Sequence, residues 1–232
     1  MQKIVVLTGA GISAESGIKT FRDSDGLWEG HDINDVASPA GWNRNPALVL
    51  DFYNQRRRQL KDVKPNDAHY ALKKLEEKFE VVIITQNVDD LHERAGSSKI
   101  IHLHGQLNKV RCTHDHHQLV YSWTDDLNLG DLCDKGHQLR PHIVWFGESV
   151  PLIPNAIDHC INADKLIIIG TSMQVYPAAG LVAYADSNCD IYYIDPNPKQ
   201  SSELSNFNKL HVIAETATKG VPALVGDLLT SG

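Results

Sequence analysis

Residues able to do chemistry gather at a few points of the chain. Gly9-Ala10-Gly11-Ile12-Ser13-Ala14 has the G-x-G-x-x-G/A spacing of a phosphate-cradling loop. In such a loop the first glycine permits a tight turn and the second lets a pyrophosphate approach the backbone. The small Ala14 allows close helix–strand packing. Thr85-Gln86-Asn87 with Asp89, Gly170-Thr171-Ser172 and Asp195 supply amides, hydroxyls and carboxylates that can orient a polar ligand. His102 and His104 offer imidazoles, whose ordinary pKa suits a general base near neutral pH. On a helix, Tyr53 and Arg56 are neighbours on one face, where a guanidinium and a phenol can grip a carboxylate together.

The elements that must position these residues follow from hydrophobic patterning. β-branched runs at Lys3 to Thr8, Glu80 to Thr85, Lys165 to Ile169 and Ile191 to Ile194 read as strands, with weaker signals at Ile100 to Leu103 and His211 to Ile213. Pro65-Asn66-Asp67 opens a capped amphipathic helix leading into the second strand, and a further helix is expected around Phe52 to Leu60. Strands alternating with helices predict an α/β fold, a Rossmann-like parallel sheet covered by helices on both faces. Two stretches break the rhythm, about 23–64 and 108–141, and are expected to pack together as a small inserted module. The division is a large lobe over 1–25, 65–107 and 143–232 and a small lobe over 26–64 and 108–142. The polar stretches all fall just past strand ends, and the carboxyl edge of an open α/β sheet is where ligands bind.

The formal charge of -7, without a long Lys or Arg run, argues against nucleic-acid and anionic-membrane partners. No signal peptide or apolar run of membrane-spanning length is visible, and four cysteines do not make a disulfide framework, so a cytoplasmic enzyme is expected. Hydride transfer is disfavoured. The acidic residue due about 20 positions past the glycine loop has no strand to sit on; Phe21 to Trp28 is a polar and aromatic stretch instead.

Taken in order, the motifs resemble the sirtuin family over nearly the whole chain. Gly9 to Ser13 with Gly17-Ile18-Lys19-Thr20-Phe21-Arg22 resembles the family's first NAD-binding segment, and Thr85-Gln86-Asn87-Val88-Asp89 its second. His104-Gly105 resembles its catalytic histidine motif, and Gly170-Thr171-Ser172 the segment facing the adenosine side of NAD. The resemblance implies an NAD-consuming removal of acyl groups from lysine side chains of proteins, carried out by a monomer. His104 would be the base, with Asn87 and Asp89 around the nicotinamide and its ribose. Gln86 would hold that ribose, and Thr20, Phe21 and Arg22 would cover the pyrophosphate and nicotinamide pocket. Asp195, or Asn197 if the loop is shifted, would meet the adenosine ribose, and Ala217 the adenine. Taken without the resemblance, a period of two puts His102 and His104 on the same side of a strand, and Asp89 reads equally as a helix cap.

Tyr53 and Arg56 resemble the Tyr-x-x-Arg of sirtuins that remove succinyl and malonyl groups, whereas composition alone makes Arg56-Arg57-Arg58 a solvated helix face. Val144-Trp145-Phe146-Gly147-Glu148 resembles the family strand that pairs with the substrate backbone, giving Val144, Phe146 and Gly147 substrate contacts; ordinary core packing is the alternative for Trp145 and Phe146. The family's two Cys-x-x-Cys pairs for a structural zinc are broken here, leaving Cys112 and Cys133. Either Cys112 with His114 or His116, joined by Cys133 with His137, forms a mixed zinc site, or the module folds without metal. ADP-ribosyl transfer and a non-catalytic NAD sensor are the competing functions.

Overall fold

The computed structural model describes residues 1–19, 27–28, 30–114, 119–199 and 201–231. The large sheet consists of β1 (Lys3–Thr8), β4 (Glu80–Thr85), β5 (Ile100–His102), β9 (Lys165–Ile169), β10 (Asp190–Ile194) and β11 (Leu210–Ile213). Between them lie two short strands, β2 (Leu27–Trp28) and β3 (His31–Asp32), and the small-module strands β6 (Gly105–Cys112), β7 (Val120–Ser122) and β8 (Leu139–Ile143). The helices are α1 (Ile33–Val36), α2 (Pro39–Arg44), α3 (Pro46–Asp62), α4 (Asp67–Leu75), α5 (Leu91–Arg94), α6 (Ile153–Ile161) and α7 (Ala217–Ser231).

All large-sheet pairings are parallel, in the order β11-β10-β9-β1-β4-β5. All six strands expected from sequence are present at these places. Alternation along them sorts side chains into two cores. Val5, Leu7, Val82, Ile84, Leu166 and Ile168 pack with Ala156 and Cys160 of α6. Ile4, Val6, Val81, Ile83, Ile167 and Ile169 pack with Leu72 of α4 and Val221 and Leu224 of α7. Burial on both faces is why these strands read as continuous apolar runs. No helix among the described residues is long and apolar enough to cross a membrane.

Where the structure departs from expectation, a physical reason is at hand. The glycine loop opens into two 3-10 turns, Ala10–Ile12 and Ala14–Ser16, and not an α-helix; Gly17, at φ 99, ends the second. Helix α3 starts six residues before the expected Phe52, because Pro46 takes the first helical position and the Asn45 side chain accepts from the Leu48 N–H. Asn66 caps α4 as expected, with His69 completing a reciprocal capping box.

The two irregular stretches contact each other. Leu50 of α3 lies in one apolar cluster with Val110, Cys112, Leu127, Cys133 and Leu139 around the three-stranded β7-β6-β8 sheet. A second cluster joins Phe52, Tyr53 and Leu60 of α3 to Leu107, Ile143 and Trp145, and to Leu91 of α5.

Candidate active site

From β1 the chain moves outward to β4 and β5, then returns on the other side to β9 and continues to β10 and β11. The direction of travel reverses between β1 and β9, so the crevice at their carboxyl ends is the place for a ligand. Here Gly9 N–H donates to the Ile169 carbonyl and Gly11 N–H to the Gly170 carbonyl. A Cβ on Gly11 would lie 2.5 Å from Gly170 Cα, and one on Gly170, at φ 60, would lie 2.5 Å from Ile12 N. These glycines therefore serve first to let two backbones meet at the switch point. Gln86 bridges the same edge, its Nε2 donating to Thr171 Oγ1 at 3.2 Å.

The second polar segment is knitted together by a residue outside the expected set. Ser13, fully buried, donates from Oγ to Asp89 Oδ2 at 3.0 Å and accepts from Asn87 Nδ2 at 3.2 Å. Its position inside the glycine motif was the only local signal. Asp89 Oδ1 also accepts from the Leu91 N–H, so Asp89 both steadies the start of α5 and faces the site cluster. Burial pushes the Asp89 carboxyl up to about 6, against the hydrogen bonds from Leu91 and Ser13.

Ionising Asp89 in the fold therefore costs about 3 kcal/mol at neutral pH, from the difference between 3.8 and about 6. The folded state holds the proton more tightly than the unfolded chain. The cost is absent below pH 4, grows as pH rises and is complete above pH 6. Asp89→Asn is thus expected to raise the thermal midpoint at pH 7.5 and leave it unchanged near pH 4, while activity falls. An equal shift at both pH values would contradict a buried charge held for function.

His102 and His104 separate clearly. His102 Nε2 faces Glu93 Oε1 at 2.6 Å and its Nδ1 faces the Asn87 carbonyl at 3.3 Å, so both ring nitrogens are committed to acceptors. His104 donates from Nδ1 to the Gln86 carbonyl at 3.1 Å, which leaves Nε2 as the basic nitrogen. Burial holds the His104 pKa below the usual imidazole value, partly opposed by the Gln86 bond, so the ring is neutral at neutral pH. Gly105 follows at φ 86, where a Cβ would lie 1.9 Å from the His142 carbonyl; a glycine is required for β6 to pass β8 so closely. Val144 N–H donates to the His104 carbonyl, tying the expected substrate segment to the histidine.

That segment is not a strand. β8 ends at Ile143, and Val144 to Glu148 turn, with Gly147 at φ 88 and the Glu148 N–H donating to the Trp145 carbonyl. Phe146 is 48% exposed, whereas Trp145 is core, at 2%. The Glu148 carboxylate folds the turn by accepting from Trp145 N–H, Arg111 and Arg140. Trp145 Nε1 donates to the Tyr53 hydroxyl at 3.0 Å, so the phenol keeps its own proton to donate. Tyr53 is fully buried, which pushes its phenol well up. Arg56, on the same face of α3, lies over the Phe52 ring at 3.9 Å and donates to the Phe52 carbonyl. The neighbouring Arg57 corrects the solvated-face reading. It is 2% exposed, with Nε donating to the Leu107 carbonyl and Nη1 to Asn54 Oδ1.

On the far side of the crevice, Asp195 is 2% exposed and its Oδ1 accepts from the Asn197 N–H, so the carboxylate shapes its own loop while Asn197 is exposed. Ala217 begins α7, whose first turn is held by Glu15: the carboxylate accepts from the Thr218 N–H and hydroxyl. Glu15 thereby links the glycine loop to Ala217, a contact without local signal in the sequence. Ser172 lies beside Thr171, whose hydroxyl accepts from Met173 N–H and whose carbonyl accepts from the Tyr193 hydroxyl. Thr20, Phe21, Arg22 and His116 lie outside the described residues.

The described residues do not form a metal site. Cys112 and Cys133 come together, but no group of three or more His, Cys, Asp or Glu among the described residues is placed to hold an ion. His114 and His137 stack on each other at 4.3 Å, and His116, the alternative ligand, lies outside the described residues.

Comparison with known proteins gives a consistent result. Residues 9–177 match the model of the Sir2 family. The chain is 60% identical to an NAD-dependent protein deacylase of Helicobacter pylori, over 94% of this chain and 97% of that one. It is 50% identical to one of Bacteroides thetaiotaomicron, over 97% of each. Among solved structures, it superposes with a TM-score of 0.88 and 37% identity on a serine-to-alanine variant of a Sir2 homologue in complex with ADP-ribose, covering 99% of this chain and 92% of that one. A Sir2 homologue bound to NAD gives 0.86 and 37%, covering 99% and 90%. A Sir2 protein bound to acetylated peptide gives 0.78 and 29%, covering 97% and 92%.

Proposed function

This chain belongs to the Sir2 family, and we propose that it is an NAD-dependent lysine deacylase that takes acetyl and also acidic acyl groups such as succinyl and malonyl. The observation that carries the reading is His104, with a neutral ring whose Nδ1 is fixed by the carbonyl of Gln86, the residue before Asn87 of the Asn87–Ser13–Asp89 cluster. A binding protein has no need of a base held in one tautomer.

In this reading NAD is co-substrate and lies across the switch point, with Gly9, Ala10, Gly11 and Ala14 at the pyrophosphate and Thr20, Phe21 and Arg22 covering it. Gly170, Thr171, Ser172, Asp195, Asn197 and Ala217 serve the adenosine half. The acyl carbonyl oxygen attacks C1′ of the nicotinamide ribose and nicotinamide leaves. His104 Nε2 then takes a proton from a ribose hydroxyl, whose oxygen attacks the acyl carbon. The bond to the lysine nitrogen breaks and lysine leaves as the protonated amine. A water adds to the acyl carbon as its bond to the C1′ oxygen breaks, leaving a hydroxyl at C1′. Asn87, Asp89 and Gln86 orient the ribose and carboxamide. The products are free lysine, nicotinamide and O-acyl-ADP-ribose. Val144, Phe146 and Gly147 meet the peptide. We assign 1–25, 65–107 and 143–232 to the NAD-binding lobe and 26–64 and 108–142 to the small one. The enzyme works as a monomer in the cytoplasm on acylated proteins, with no nucleic-acid or membrane partner.

The test is to incubate the protein with NAD and paired acetyl- and succinyl-lysine peptides, following peptide mass and nicotinamide together. Acyl loss matched by nicotinamide release is expected; a heavier peptide would mean ADP-ribosyl transfer, and no release on either peptide a sensor. For acyl choice, Arg56→Met is expected to lower kcat/KM for desuccinylation about 10–100-fold, as for a charge-assisted hydrogen bond, with deacetylation changed little. Equal losses on both peptides would remove the carboxylate role.

A further inference from the structure

We propose that Cys112 and Cys133 are a redox-modification site that takes up a reversible disulfide and locks the outer end of the small module. Both are free cysteines, 0% and 5% exposed, and their sulfurs are already in contact at 2.8 Å. A disulfide needs about 2.05 Å, so the sulfurs have less than an ångström to close.

Rigid backbone holds them there. Cys112 is the last residue of β6, paired with Leu139 of β8. Cys133 begins a tight turn in which its N–H donates to the His137 carbonyl and the Gly136 N–H returns to its own carbonyl. The Tyr121 hydroxyl donates to Asp134 Oδ2 and pins the turn to β7. No third ligand among the described residues makes the pair a metal site. Both cysteines are free, and the contact is that of a dithiol.

The surroundings also choose this pair over the other two cysteines. Cys133 is the more accessible of the pair, 5% exposed against 0% for Cys112, so an oxidant meets its sulfur first. Burial pushes Cys160 up to about 12 and Cys189 up to about 11, keeping both as inert thiols. With a peroxide as oxidant, the Cys133 thiolate attacks one oxygen; the S–O bond forms, the O–O bond breaks and hydroxide leaves. Cys112 then attacks the sulfenic sulfur. The S–S bond forms, the S–O bond breaks, and the oxygen departs as water with the Cys112 proton. Two thiols are oxidised and one peroxide is reduced to two waters; a small dithiol reverses the step. The bridge joins positions 21 residues apart in sequence, in the cluster that also holds Leu50 of α3.

The readouts need no turnover, so they stand apart from the deacylase reading. Purified reduced protein is treated with a few equivalents of hydrogen peroxide, blocked with iodoacetamide under denaturing conditions and mapped without reduction. A mass loss of about 2 Da, a Cys112–Cys133 cross-linked peptide and alkylated Cys160 and Cys189 are expected. The thermal midpoint should rise by roughly 5–10 °C and return with dithiothreitol. Cys112→Ser and, separately, Cys133→Ser should abolish the mass loss. The proposal is overturned by a cross-link elsewhere, by sulfinic or sulfonic products at Cys133 without a cross-link, or by stoichiometric zinc in the purified protein that Cys112→Ser releases.

Discussion

Replacing His104 by alanine is expected to slow acyl removal about 10²–10⁴-fold, the usual contribution of a positioned general base, while NAD affinity stays within a few-fold. The tautomer is set by one bond, Nδ1 to the Gln86 carbonyl, so the basic nitrogen is Nε2. Because burial lowers the His104 pKa, the base form survives to more acidic pH than a free imidazole allows. The acid limb of kcat/KM for the wild-type enzyme should accordingly fall below the ordinary value of about 6.5. His102→Ala is the control. That ring is committed to Glu93 and the Asn87 carbonyl, so its loss should leave the position of the acid limb unchanged. A His104→Ala enzyme with near wild-type turnover, or an acid limb that moves with His102, would transfer the role to another group.

The second large effect is structural. Glu148→Ala is expected to destabilise the fold by about 3 kcal/mol, the lower end for breaking a buried ion pair, a fall of roughly 6–12 °C in thermal midpoint for a chain of this size. Glu148 accepts from Arg140 at 2.7 Å and from Arg111 at 3.0 Å, and those side chains are only 6% and 2% exposed. Arg140 also lies over the Trp145 ring at 3.2 Å. Removing the carboxylate strands two cations beside the tryptophan that orients Tyr53. Burial raises the Glu148 carboxyl, but the two arginines and the Trp145 N–H outweigh it and hold the pKa below 4.5. The stabilisation is therefore complete above pH 4.5 and lost as pH falls through the lowered value. The gap between variant and wild type should narrow in acid. A midpoint change under 2 °C at neutral pH would mean that the three charges contribute no net stability.

Sequence and structure agree most closely where information is local. β1, β4, β9 and β10 carry β-branched residues buried on both faces, so each strand declared itself without reference to its neighbours. Asn66 at the head of α4 is a local cap, and the structure uses it so. The glycine loop was legible as a ligand-binding turn, but not as the meeting of Gly9 and Gly11 with Gly170, because the partner backbone lies 159 residues beyond Gly11.

What the sequence determined by itself is the α/β framework, its order of strands and helices, and the set of polar residues delivered to strand ends, since period and capping act over a few residues. Only the tertiary structure decided which of these residues are equipped to act. A period of two cannot separate His102 from His104; the separation comes from a carboxylate on α5 and a carbonyl after β4. A row of three arginines looks solvated until Leu107, 50 residues away, receives Arg57. Ser13 joins Asn87 to Asp89, Trp145 meets Tyr53, and Cys112 reaches Cys133, each across 21 to 92 positions. Hydrogen bonds and desolvation depend on distances in space, and those exist only once the chain has closed on itself.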